Sequence, residues 1–205
     1  QGTGFCVRLG DEVIPVHTDY RVATAQIVSF ALPPEPPTDV QPEPLPIDVI
    51  YEDEFAAVLN KPVGIAVHPT LNHTSGTLAN GWLYRLKCRG EDGVFRPVNR
   101  IDKNTSGLVL CAQNAFAAPE LAKTAQKCHL ALVEGLLPVG PGRIDVPIAR
   151  RGDSIIGRCV REDGKPSVTE YTVLAASASH ALVSCFPVTG RTHQICAHMK
   201  KIGHP

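Results

Sequence analysis

The chain has 205 residues, of which 43% are hydrophobic and 20% charged, enough for one real core and unlike the composition of a disordered or membrane-embedded protein. No apolar run approaches the roughly 20 residues that span a bilayer, and the N-terminus lacks the basic-then-apolar layout of a signal peptide, so a cytoplasmic location is expected. The net charge of zero hides an asymmetry: residues 1–56 carry two basic and ten acidic side chains, whereas residues 57–205 carry eighteen and ten, a basic body suited to a polyanion.

In chain order, GFCVRLGDEVIPVHTDYRVATAQIVSF alternates apolar and polar residues around Gly10-Asp11 and predicts two or three short strands, a piece too small to fold alone. From Pro33 to Pro46 half the residues are proline, which excludes helix and central strand and predicts a stiff linker over 33–46. IDVIYEDEFAAVLNKP predicts a hairpin around Glu52-Asp53-Glu54. SGLVLCAQN reads as a strand ending near Asn114. PELAKTAQK then reads as a helix with Pro119 at its first position. HLALVEG predicts a buried strand. SVTEYTVLAA and HALVSCFPV predict two more, separated by the turn around Ser177 and Ser179. THQICAHMKKIG places Ile195, His198, Met199 and Ile202 at helical spacing, with Thr192 as N-cap and Gly203 as stop. Strands joined by short turns define an α+β class with a mixed, mostly antiparallel sheet and flanking helices.

The seven cysteines are scattered and never form C-x-x-C, so buried reduced thiols are expected rather than disulfides or zinc. His68, His73, His193 and His198 lack the i, i+4 spacing with a carboxylate that a metal site needs, and no metal is expected. The segment RPVNRIDKNTSGLVL combines basic residues, one acid, small polar residues and a glycine just before a strand. Asp102 there fits either a reactive carboxylate held at the rim of a sheet or a solvated turn paired with Arg100 or Lys103.

Four ordered blocks decide between these readings. NRIDKNTSGL resembles the H-R-L-D-x-x-T-S-G-L signature of the RluA-type RNA pseudouridine synthases, and LNKPVGIAVHP, KCHLALVEG and TGRTHQICAHMKKIGHP resemble three further blocks of that family. The resemblance spans 47–205, the expected catalytic domain with a pseudouridine synthase fold. TDYRVATAQIV makes residues 1–32 similar to part of an S4 RNA-binding module. The family's strands beyond Gly-His-Pro imply a domain that is C-terminally incomplete as given, and the stretch from Pro119 to Lys127 is short for the helix and turn expected there.

What the resemblance implies is an RNA isomerase without cofactor, acting as a monomer on uridines of ribosomal or transfer RNA. Asp102 is implied as the catalytic carboxylate, attacking sugar or base or taking a sugar proton. Arg191 is implied as its ionising, orienting partner. Lys61, Arg100, Thr105 and His129, each inside or beside a matching block, are expected to bind substrate. His129 departs from the family's tyrosine, keeping a ring that stacks on uracil and adding a base. Asn99 stands in place of a histidine, and Cys196 in place of an arginine. The alternative is a weakened or inactive RNA-binding protein that retains the fold, favoured by His129 and opposed by the retained Asp102. A small-molecule hydrolase lacks any nucleophile elbow.

Overall fold

The computed structural model of the protein describes residues 5–30, 38–70, 74–152 and 157–205. The N-terminal run is a three-stranded antiparallel sheet with β1 (Phe5–Leu9) between β2 (Glu12–Val16) and β3 (Ile27–Phe30). Its interior is small. Val7 is buried and the rings of Phe5 and Phe30 lie 5.6 Å apart, while Leu9, Ile14 and Ile27 are exposed.

Residues 33–37 lie outside the described residues, and 38–46 form no regular element, as their prolines dictate. They are nevertheless fastened to the body rather than acting as a free spacer. The carbonyl of Gln41 accepts from the Asn80 amide at 2.8 Å, and the Glu43 carboxylate accepts from Gly76 N at 2.9 Å. Gly81 lets Leu45 approach; a Cβ there would stand 3.2 Å from the Leu45 side chain.

β4 (Asp48–Glu52) and β5 (Ala56–Lys61) form the foreseen hairpin, its turn held by the Asp53 carboxylate accepting from Phe55 N and Ala56 N at 2.8 and 2.7 Å. α1 (Leu78–Cys88) was not foreseen. Thr77 and Asn80 cap it reciprocally, and Leu78, Trp82, Leu83 and Leu86 pack with Leu59, Val109 and Phe95 in a first core. Arg85 and Arg89 each meet Glu52 at 2.7 Å and tie the helix to the hairpin. With β6 (Arg96–Pro97) and β7 (Gly107–Ala112) the first sheet has the order β4-β5-β7-β6.

α2 (Ala117–Thr124) begins two residues before Pro119, because the Asn114 side chain accepts from Ala117 N at 2.8 Å and starts the helix there. Proline in the third position still lies in the first turn, where no N–H is required. Beyond it come β8 (His129–Glu134), β9 (Gly140–Asp145), the small hairpin of β10 (Ile148–Arg150) and β11 (Arg158–Val160), β12 (Val168–Ala176) and β13 (His180–Pro187). The second sheet has the order β8-β13-β12-β9. α3 (Gln194–Lys201) sets Met199 into a second core with Val133, Ile144, Val173 and Val183. All named strand pairs in both sheets are antiparallel, which agrees with the α+β class.

Three expectations are corrected. β8 is not a buried strand: Val133 faces the core, but Leu130 and Leu132 are 69% and 71% exposed, the alternation of a one-sided sheet. Of the seven cysteines, all free, only Cys111 and Cys185 are buried, while Cys88, Cys128 and Cys196 are exposed. The residue before α3 is His193, not Thr192, and it makes no side-chain cap. No described helix is long and apolar enough to cross a membrane.

Candidate active site

Asp102 lies in the loop joining β6 to β7. Asn99 anchors the start of that loop by imitating a strand partner: its side chain accepts from Leu110 N at 2.7 Å and donates to Leu108 O at 3.1 Å. Thr105 N donates to Asp102 O at 3.0 Å and closes a turn. Lys103 O, one residue after the carboxylate, accepts from Gly64 N at 2.9 Å and from Lys61 Nζ at 3.1 Å.

Lys61, expected to bind substrate, is not among the residues lining the cavity beside Asp102. Its side chain is fully buried, and the ammonium also donates to Pro62 O and Ile65 O at 2.8 and 2.9 Å, so its donors are directed into the protein. Burial pulls its pKa down, and the Asp102 carboxylate pulls it back up.

Arg100 and Thr105 do line a cavity of about 460 Å³ beside Asp102, together with Lys127, His129 and Arg191. His129 opens β8 and pairs across the sheet with Cys185. Its Nδ1 is buried with no hydrogen-bond partner among the described residues. Burial lowers the His129 pKa; Asp102 opposes this and Lys127 adds to it, so the ring is neutral at pH 7.

Arg191 sits in the loop from β13 to α3. Its Nε and Nη2 both donate to Pro166 O at 3.3 Å. The expected direct ion pair with Asp102 is thus not formed; the two groups share one cavity, with the guanidinium drawn to a backbone carbonyl. Among the described residues, the basic side chain nearest the carboxylate is one that the motifs did not single out: His193 Nε2 lies 3.9 Å from Asp102 Oδ1. His193 has φ 51° and ψ 30°, a left-handed conformation that carries the chain into α3. Non-glycine residues held there concentrate at functional sites, but no sequence pattern announces the conformation. Cys196, exposed at one side, also lines the cavity, and partial desolvation of its thiol and then Asp102 raise its pKa.

Among the described residues no three His, Cys, Asp or Glu side chains gather as a metal site, and His73 lies outside them. The arrangement gathers a carboxylate, an imidazole and a guanidinium around one cavity, with Arg100 and Lys127 in its lining.

The profile of the RNA pseudouridylate synthase family matches residues 56–201, which contain all of these groups, and the chain belongs to that family. It is 40% identical over 198 residues to the uncharacterized RNA pseudouridine synthase YlyB of Bacillus subtilis, covering 93% of this chain and 65% of that protein. To the ribosomal large subunit pseudouridine synthase D of Neisseria meningitidis it is 35% identical over 193 residues, covering 91% of this chain and 51% of the other. The chain thus spans between about half and two thirds of the length of these relatives. Among solved structures it is similar to human RNA pseudouridylate synthase domain containing 1, with a TM-score of 0.62, 27% identity, and coverage of 83% of this chain and 69% of the other.

Proposed function

We propose that the protein is an RNA pseudouridine synthase that isomerises specific uridines of ribosomal or transfer RNA through Asp102. The observation that carries this is the meeting of Asp102, His129 and Arg191 in one cavity inside the family region. A stacked uridine cannot reach that carboxylate, so the nucleotide flips out, at a cost of a few kcal/mol. Arg100, Lys127 and Arg191 at the cavity suit the flanking phosphates. The N1–C1′ bond breaks, the uracil turns while held, and C5 bonds to C1′. The C5 proton leaves and N1 gains one, so substrate and product are isomers and no cofactor is needed.

Asp102 acts at the sugar or at the base. Arg191, turning from Pro166 toward Asp102 when the nucleotide is bound, orients the carboxylate as its fixed positive partner. His129, its pKa lowered by burial, stacks on the uracil and takes part in proton transfer. The N-terminal sheet, on the strength of TDYRVATAQIV, belongs to an S4-like RNA-binding module. We further infer a cytoplasmic monomer.

The second reading, an RNA-binding protein without turnover, is favoured by His129 where the family has tyrosine. Release of tritium from RNA labelled at C5 of uracil separates the two. Asp102→Asn is expected to lower release at least about a thousandfold with RNA affinity little changed. Turnover near wild type in that variant sinks the role of Asp102, and a wild type silent on all cellular RNA favours the second reading.

A further inference from the structure

Behind the Arg191 loop lie three buried polar side chains that the chemistry above does not use: Thr169 on β12, and Gln194 and His198 on α3. Their contacts fix the place of every proton. The Val146 carbonyl can only accept, so the contact of 3.1 Å with His198 Nε2 puts the imidazole proton on that nitrogen. The neutral ring then has a bare Nδ1, which must accept from the Thr169 hydroxyl at 2.9 Å. Thr169 Oγ1 accepts in turn from Gln194 Nε2 at 3.0 Å, and the second amide proton goes to Val168 O at 2.9 Å. The Gln194 amide can therefore face only one way. Its Oε1 accepts from the Thr189 hydroxyl at 2.8 Å and from the backbone N–H of Arg191 at 3.0 Å.

Burial holds the His198 pKa below its ordinary value, against the Val146 bond and the nearby Asp145, so the neutral form that the chain of donors requires is the form present. An imidazolium would donate from both nitrogens and strand the Thr169 proton. A buried polar chain costs stability relative to apolar packing, and this one leads to a single exposed destination, the loop that carries Arg191.

We propose that His198, Thr169 and Gln194 are positioning residues, a one-way hydrogen-bond chain that sets the backbone of Arg191 and thereby where its guanidinium meets the bound uridine. The catalytic part rests on the pseudouridine synthase reading; the proton order does not. Thr169→Val keeps the shape and removes both hydrogen-bond roles, whereas Thr169→Ser keeps them.

In the full chain, nitrogen-15 NMR is expected to find His198 as the Nε2–H tautomer from about pH 6 to pH 8 and the Arg191 amide protected from exchange. Both features persist in Thr169→Ser, and the protection is lost in Thr169→Val. Tritium release by Thr169→Val is expected to fall about tenfold in kcat with KM changed less than about twofold, Thr169→Ser staying near wild type. In an Arg191→Ala background the same substitution is expected to cost nothing further. An Nδ1–H tautomer or an unprotected Arg191 amide in the wild type overturns the chain whatever the protein catalyses, and requires no variant to fold. Losses that multiply in the double variant overturn the action through Arg191. A wild type without turnover ends the catalytic part together with the functional reading, while the NMR result still decides the proton order.

Discussion

The two sides of the cavity are held in place by opposite means. On the side of the first sheet, the Asp102 loop is fastened by a buried cation, the Lys61 ammonium, which donates to three carbonyls. On the side of the second sheet, the Arg191 loop is fastened by neutral groups, Gln194, Thr169 and His198. The difference follows from the charge that each loop displays. A buried cation behind a carboxylate lowers the energy of the ionised acid, whereas one behind a guanidinium would repel it in a medium where screening is weak. Each scaffold is thus matched in sign to the group it presents.

Lys61→Met tests the charged side hardest. It removes the donor from buried carbonyls and is expected to cost about 3 kcal/mol of stability by urea unfolding, with a loss of turnover as the loop loosens. Unchanged stability would show that the ammonium is dispensable and end the comparison. On the other side, Arg191→Ala is expected to lower turnover about a hundredfold, and Arg191→Lys less because the charge survives. Equal rates in all three proteins would leave that loop with no charge worth positioning.

His129, on the edge strand of the second sheet, is expected to give the smallest effect. His129→Ala should lose about tenfold in catalytic efficiency, the scale of one base stacked on an aromatic ring, while His129→Tyr preserves or raises the rate. Because burial lowers its pKa from the ordinary 6.5, the unfolded chain takes up the proton first as pH falls. The His129 contribution to stability is therefore complete above 6.5 and declines as pH drops from there toward the lowered value. Turnover falls later in the descent, as the pH passes the lowered pKa of the folded protein and the base is protonated. Urea unfolding and rates at about pH 7.5 and 5.5 check both, and His129→Tyr, which does not titrate there, should flatten part of each profile.

Strands were legible where one face is buried and the other wet, as in β12 and β13, because alternation records that arrangement directly. α1 was not, since Leu78, Ala79, Asn80, Gly81, Trp82 and Leu83 are all buried and leave no polar face to set a period. β9 was hidden by Gly140-Pro141-Gly142, which reads as a turn; it forms at a sheet edge, where proline is tolerated, and Gly142 makes room for the Tyr171 ring. In the site, the motifs brought Asp102, Arg100, Thr105, His129 and Arg191 to one cavity. They did not reveal that Lys61 faces inward or that His193 stands nearest the carboxylate, because a motif names residues without giving the direction of their side chains.

The turn from Asp102 to Thr105 carries a consequence for timing. With Thr105 N on Asp102 O and Lys103 O held by Gly64 and Lys61, the backbone around the carboxylate is ordered as soon as the chain folds. Ordering a residue costs about 1–2 kcal/mol of conformational entropy, and here that loss falls in folding, before any RNA arrives. On the proposed reaction, the free energy of the encounter with RNA is then left for unstacking the nucleotide.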